Sequence, residues 1–185
     1  MNIALPRLLN VDEFLAWSET QPKEAGKLEL LDGVVIVQQS PKWVHTKIKH
    51  RICLLLGDAI ARAGVPFFAA PEGPSVRINP RKCFEPDALV AALPEPADDS
   101  QEVSNPIIVV EVLSPSTAQI DTTAKLQGYF EVPSIQHYLI VDPDGRTMTH
   151  HKRANGDVLE TRIVSEGALT LTPPGLTIDV KAVFA

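Results

Sequence analysis

The chain has 185 residues, 44% of them hydrophobic and 22% charged, and its 17 Lys and Arg against 23 Asp and Glu give a formal net charge of −6. This is enough apolar material for one sizeable core, so a single domain over 1–185 is expected; no stretch approaches the ~20 apolar residues of a membrane span, and residues 1–14 lack the apolar run and cleavage site of a signal peptide, which points to a soluble, cytoplasmic protein. The acidic balance argues against a general nucleic-acid coat and leaves room for a metal in an acidic site, while Cys53 and Cys83, with neither CxxC spacing nor a framework count, argue against a cysteine-based zinc site.

In chain order, NVDEFLAWSE carries Asn10 as an N-cap candidate before Val11, Phe14 and Leu15, which predicts a short first helix. KLELLDGVVIVQQ reads as a hairpin, because Asp32-Gly33 is a two-residue turn signal between β-prone runs. PKWVHTKIKHRICLLLGDAIARAG, opened by Pro41 and ended by Gly64, places Val44, Ile48, Ile52, Leu55, Leu56, Ala59 and Ala63 on one face of an amphipathic helix. Short strands are expected at VPFFAA, PSVRI and FEPDALVAAL, followed by an exposed loop over the acidic, apolar-poor PEPADDSQEVSN and by the strand IIVVEVL. Ser116 or Thr117 caps a further helix running to about Phe130, Pro133 forces its end, and SIQHYLIVDP is another β-rich run. A hairpin about Asn155-Gly156 and short C-terminal strands complete the set, so the expected fold is α/β (α+β), a mixed sheet with helices packed on it.

One residue in this pattern is out of place. Ile107 to Val110 form the buried run of a central strand, and Glu111 follows on the same strand with apolar neighbours on both sides. Burying a lone carboxylate costs several kcal/mol, so Glu111 needs partners. Asp87 lies in a similar setting, and if its strand runs beside that of Glu111 the two acids converge, which a divalent cation reconciles. Asp121, Lys125 and Tyr129 fall on one helix face by their i, i+4 spacing; an amine placed there, beside a metal-bound oxygen, stabilises developing negative charge or orients the attacking water.

The ordered set PDALVA, IIVVEVLSPST and DTTAKLQGYFEVPSIQHYLIVDP, with LELLDGVVIV and PKWVHTKI upstream, resembles the Uma-type restriction endonuclease family of the PD-(D/E)XK nuclease superfamily over roughly residues 10 to 180. The resemblance implies a restriction-endonuclease-like central mixed β-sheet flanked by α-helices and a metal-dependent phosphodiesterase site. Asp87 falls at the PD aspartate and Glu111 at the following acidic position, both as Mg²⁺ ligands; Glu29 matches the upstream acidic position, as a further ligand or as the holder of a metal-bound water. The superfamily lysine belongs two residues after the second acid, where this chain has Leu113, so Lys125 is the candidate for a migrated lysine. The implied chemistry is in-line attack of a metal-activated water on a DNA phosphate, leaving 5′-phosphate and 3′-hydroxyl ends, and the all-oxygen donor set fits Mg²⁺ or Mn²⁺ better than Zn²⁺.

Two functional classes follow: a Mg²⁺-dependent DNA endonuclease, as a homodimer if two sites are to cut two strands, or a catalytically inactive nuclease-fold module that binds nucleic acid or a protein partner, the reading that Leu113 and the acidic charge favour. A third has Glu111 neutralised by an arginine in a structural or partner-binding protein. Each site residue also has a structural reading: Asp87 as a strand start or Asx turn, Glu29 as an exposed strand residue, Lys125 as the partner of Asp121 on a solvated helix. The cations Lys42, Lys47, Lys49 and Arg51, with His45 and His50, stand at the start of their helix, either as a phosphate-contact surface or as a solvated face. His45 also lies where the family often has a histidine after the proline. His150 and His151 point to opposite faces of a hairpin and are poor joint ligands, and Tyr129 and Tyr138 are expected at the edge of the core.

Overall fold

The computed structural model describes residues 7–22, 26–38, 42–114, 118–156 and 158–185. Helix α1 (Val11–Ser18) starts at Asn10, whose side chain accepts from the Glu13 N–H at 2.9 Å while the Glu13 carboxylate accepts from the Asn10 N–H at 3.1 Å. This reciprocal cap satisfies two backbone donors that a helix start would otherwise leave open. Strands β1 (Lys27–Leu31) and β2 (Val34–Gln38) meet at Asp32-Gly33, both left-handed at φ 52° and 83°. Glycine is required at 33, since a Cβ there would lie 2.9 Å from that of Leu8.

Helix α2 (Trp43–Ala63) ends on left-handed Gly64, while Pro41 lies outside the described residues. Its buried stripe is His45, Ile48, Ile52, Leu56, Ala59 and Ile60, so Val44 and Ala63, expected inside, are exposed. The stripe follows the face that meets the sheet and takes in a histidine that a hydropathy pattern passes over. Strands β3 (Phe67–Pro71), β4 (Val76–Asn79), β5 (Lys82–Phe84) and β6 (Ala88–Ala92) follow. FEPDALVAAL is therefore two strands: β5 stops at Phe84 and the chain passes through Glu85-Pro86-Asp87 into a different sheet, where Pro86 has no N–H to give a ladder.

Strand β7 (Pro106–Val112) leads into α3 (Ala118–Thr122) and α4 (Ala124–Glu131), which break at Thr123 (φ −124°, ψ −83°) where one continuous helix was expected; the expected caps Ser116 and Thr117 lie outside the described residues. Strands β8 (His137–Asp142), β9 (Thr147–Arg153), β10 (Leu159–Val164), β11 (Ala168–Leu171) and β12 (Leu176–Asp179) and helix α5 (Val180–Val183) complete the described chain. The strands form a four-stranded sheet ordered β2-β1-β5-β4, a six-stranded sheet ordered β10-β9-β8-β7-β6-β3, and the β11-β12 pair. Among the described residues the named strands pair antiparallel except for β7 with β8, the strand-helix-strand unit expected around Glu111.

The six-stranded sheet is covered on both faces. Ala88, Val90, Ile108, Val110, Leu139 and Val141 pack with Ile48, Ile52 and Leu56 of α2, whereas Leu89, Val109, Tyr138 and Ile140 pack with Phe84 and Tyr129 on the α4 side. Tyr129 and Tyr138 are fully buried rather than at the core edge, and the Tyr138 hydroxyl donates to the Asp121 carbonyl at 3.0 Å. Alternation along β7 puts Glu111 on the α4 face. Among the described residues no helix is long and apolar enough to cross a membrane.

Two histidines are sealed into the α2 face. His137 Nε2–H donates to the Pro173 carbonyl at 2.7 Å, which leaves its Nδ1 to accept from His150 Nε2–H at 2.8 Å. Burial holds both well below the usual histidine range, at about 4, and for His150 the neighbouring His137, Arg162, Lys152 and His151 act in the same direction. The unfolded chain takes up these protons near pH 6.5, so the pair's contribution is complete above that value and is lost as pH falls toward 4. A side-chain NMR titration is expected to show two of the five histidines neutral down to about pH 4; five midpoints near 6.5 would contradict this packing. His150 and His151 do face opposite ways, His151 meeting Thr161 at 2.8 Å.

Candidate active site

The described structure carries Glu29, Asp87, Glu111 and Lys125 into one buried network between the two larger sheets and α4. Alternation along β1 sends Lys27 and Glu29 to the same side, the β5-to-β6 crossover delivers Asp87, β7 delivers Glu111, and α4 delivers Lys125 and Tyr129. Asp87 is fixed at a sheet entrance: its N–H donates to the Val110 carbonyl at 2.9 Å and its Oδ2 accepts from the Val112 N–H at 2.7 Å. The expected adjacency of the Asp87 and Glu111 strands is therefore present.

Lys125 is 0% exposed, not a solvated helix residue. Its Nζ lies 2.8 Å from Glu111 Oε1, 2.8 Å from Glu29 Oε1 and 3.3 Å from Asp121 Oδ1. Tyr129 donates to the same Glu111 Oε1 at 2.7 Å. Glu29, buried rather than exposed, also accepts from the Glu85 N–H at 3.0 Å and from Gln38 at 2.6 Å, so both of its oxygens are engaged. The cation beside Glu111 is thus a lysine and not an arginine.

Lys27 links this group to Asp87. Its ammonium lies 2.8 Å from Asp87 Oδ1 and 3.7 Å from Glu111 Oε2, and Lys49 of α2 reaches Asp87 Oδ1 at 2.8 Å and Glu72 Oε2 at 3.0 Å. Six carboxyl groups, those of Glu29, Glu72, Glu85, Asp87, Glu111 and Asp121, face three lysines here. Burial alone would raise Asp87, but Lys27 and Lys49 outweigh it and hold the carboxyl at about 2. For Glu111 burial prevails over Lys125 and Lys27 and lifts it to about 8, and burial lifts Glu85 to about 7. Burial would lower Lys125, yet Glu111 and Glu29 keep it above the usual lysine range.

Lys27, Glu72, Glu85 and Gln38 carry no reading from the sequence, and Lys49, expected among the phosphate-contact or solvated cations of α2, is instead paired with Asp87 and Glu72. The signal available for Lys27 was its i, i+2 relation to Glu29. For Lys49 it was a lysine one residue past the buried Ile48 on α2. His45 is buried on the first turn of α2, and its Nδ1 has no hydrogen-bond partner among the described residues. Leu113, at the superfamily lysine position, packs as an apolar side chain against the α4-side core and donates its N–H to the Val141 carbonyl at 2.8 Å.

The donor chemistry suits a hard divalent cation: carboxylate oxygens only, two of them, Asp87 Oδ1 and Glu111 Oε2, already shared by one positive charge at Lys27 Nζ. Among the described residues no three acidic, histidine or cysteine side chains converge on one point, because ammonium groups stand between the acids.

A mixed sheet flanked by helices, with buried acids at the end of its central strands and a lysine on the adjoining helix, has the architecture of a restriction-endonuclease-like fold. A solved structure from Anabaena variabilis ATCC 29413, described as "a putative nuclease belonging to DUF820", matches this fold with a TM-score of 0.72 over 95% of this chain and 97% of that one, at 19% identity. The Uma2 family model, described as "Putative restriction endonuclease", matches residues 11–182, and the chain belongs to that family. Two uncharacterized proteins of Synechocystis sp. are each 27% identical to it: slr1290, covering 95% of this chain and 91% of that protein, and sll1609, covering 91% and 94%.

Proposed function

We propose that the protein is a metal-dependent endonuclease that hydrolyses DNA phosphodiester bonds at the Asp87–Glu111 site. The observation that carries this reading is Lys27 Nζ, a cation held between Asp87 Oδ1 and Glu111 Oε2 in a network with more carboxyls than lysines. Asp87 and Glu111 would hold Mg²⁺ or Mn²⁺ once Lys27 withdraws toward Glu72, which lies 3.9 Å from it. The bound ion supplies an activated water and offsets charge on the phosphoryl oxygens. Lys125, kept charged by its carboxylates, adds a fixed positive charge where phosphoryl charge develops, and takes the role that Leu113 cannot. Glu29, with both oxygens engaged, positions Lys125 and the Glu85 backbone, and would join in holding the ion only by giving up one of these partners. The exposed Lys42, Lys47 and His50, beside exposed Trp43, form the DNA contact surface.

Plasmid nicking in Mg²⁺ tests this reading directly. Wild type is expected to nick and Asp87→Asn to be inactive while folded; equal nicking by both would show that the activity lies elsewhere. Lys27 makes a separate test. Lys27→Met is expected to tighten Mg²⁺ binding about tenfold, roughly 1.4 kcal/mol, because the competing ammonium is gone. Calorimetry giving an unchanged or weaker affinity would show that Lys27 does not occupy the cation position.

The second reading is the inactive nuclease-fold module that binds nucleic acid or a protein partner. Leu113 at the lysine position and the ammonium groups between the acids favour it. Under that reading Mg²⁺ neither binds at this site nor raises the unfolding temperature.

A further inference from the structure

Strand β10 is the last strand of the six-stranded sheet, paired with β9 alone among the described residues. Edge strands are usually blunted by proline, lysine or a bulge. LETRIV has no proline or lysine and runs through six regular pairs with β9. Its surface includes Ile163, 71% exposed, with Val158 just before it, 59% exposed. The opposite edge strand, β3, ends in Pro71 and is more covered along its length.

The hydrogen-bond phase of this edge can be read from its neighbour. Ala154 donates its N–H to the Val158 carbonyl at 2.9 Å, on the β10 side, and Arg153 donates to the Gln136 carbonyl at 2.9 Å, on the β8 side. Antiparallel pairs alternate between bonded and non-bonded, so the backbone groups of Glu160 and Arg162 point to β9, while those of Leu159, Thr161 and Ile163 point away from it. The His151–Thr161 side-chain contact at 2.8 Å fits the close approach of a non-bonded pair.

From this we infer that β10 is a docking edge for a second copy of the same chain, joined antiparallel about a two-fold axis at Thr161. In that register Thr161 faces Thr161 of the other copy and Leu159 faces Ile163, which gives about six backbone hydrogen bonds from donors and acceptors that otherwise face solvent. Glu160 of each copy then lies in a close, non-bonded pair opposite Arg162 of the other, and Val158 opposite Val164. The charge pattern selects this register. Moving the axis one residue back sets Glu160 against Glu160, and one residue forward sets Arg162 against Arg162. The resulting sheet is continuous through both copies, and the inference does not depend on the nuclease reading.

Sedimentation equilibrium on the whole chain tests it, with circular dichroism as the check on folding. Wild type is expected at twice the chain mass at roughly 100 μM, a concentration suited to a small polar interface. Thr161→Pro removes an outward-facing N–H and spares the β9 ladder, so it is expected to be a folded monomer. Arg162→Glu sets carboxylate against carboxylate and is also expected to be monomeric, whereas Glu160→Arg with Arg162→Glu restores both ion pairs and the dimer. A monomeric wild type, a dimer that survives Thr161→Pro and Arg162→Glu, or a double reversal that stays monomeric would each overturn the inference. These are readings of mass alone, so they are independent of metal binding and of nicking.

Discussion

Lys125→Met is expected to lower the unfolding free energy by about 3–5 kcal/mol, the scale for removing one partner of a buried ion network, and the melting temperature by roughly 10 °C or more. The side chain is 0% exposed and serves Glu111, Glu29 and Asp121 within 3.3 Å, so methionine of similar length fills the space and leaves three carboxyl groups without their shared cation. The sign at neutral pH is unambiguous: the folded lysine is held above its usual range, so its contribution is present below the unfolded value near 10.4 and is lost only as pH rises beyond it. Adding Glu29→Gln to Lys125→Met removes one of the stranded charges and is expected to recover part of the loss, a coupling of about 1–3 kcal/mol in a double-mutant cycle. Chemical denaturation of the four proteins measures it. A Lys125→Met protein as stable as wild type would show that these carboxyls do not depend on the lysine.

Glu111→Gln is expected to do the reverse, reducing nicking by at least about 10³-fold, roughly 4 kcal/mol in the barrier, with stability changed by only about 1 kcal/mol. The amide keeps the shape of the side chain and an oxygen for Lys125 and Tyr129, which sit 2.8 and 2.7 Å from Glu111 Oε1. What disappears is the anion, and burial already works against that anion by lifting the Glu111 carboxyl to about 8. The folded state therefore loses little, while the cation position between Asp87 and Glu111 loses one of the two carboxyl groups that would ionise on holding the metal. Full nicking by this variant, measured alongside its melting temperature, would separate the activity from Glu111. Lys125 acts mainly through stability and Glu111 mainly through chemistry, so the pair distinguishes a structural network from a working site.

How much of this could be read beforehand differs from residue to residue. Glu111 was legible because a charge at the end of Ile107 to Val110 contradicts its surroundings, and a contradiction of that kind needs a partner. The β1-β2 hairpin was legible because Asp32 and Gly33 both adopt the left-handed backbone such a turn requires. Lys27 was not, because a lysine at the start of a hairpin strand has the appearance of a solvated residue; only the packing of the four-stranded sheet against β6 and β7 turns it inward. Lys49 was hidden in the same way among the cations of α2. The exchange of Val44 for His45 on the buried face reflects a rotation of about one residue, set by the sheet and not by hydropathy. The break at Thr123 has no proline or glycine to announce it, whereas Pro86, between β5 and β6, was a signal that the run FEPDALVAAL ought to be divided.

The proposed function stands on Asp87 and Glu111 together holding a divalent cation. A calorimetric titration of Mg²⁺ and Mn²⁺ into wild type and into Glu111→Gln decides this, with nicking followed on the same samples. Saturable binding to wild type, lost in the variant together with nicking, is the expected result. Absence of metal binding by a folded wild type, or binding of equal strength by the variant, would contradict it.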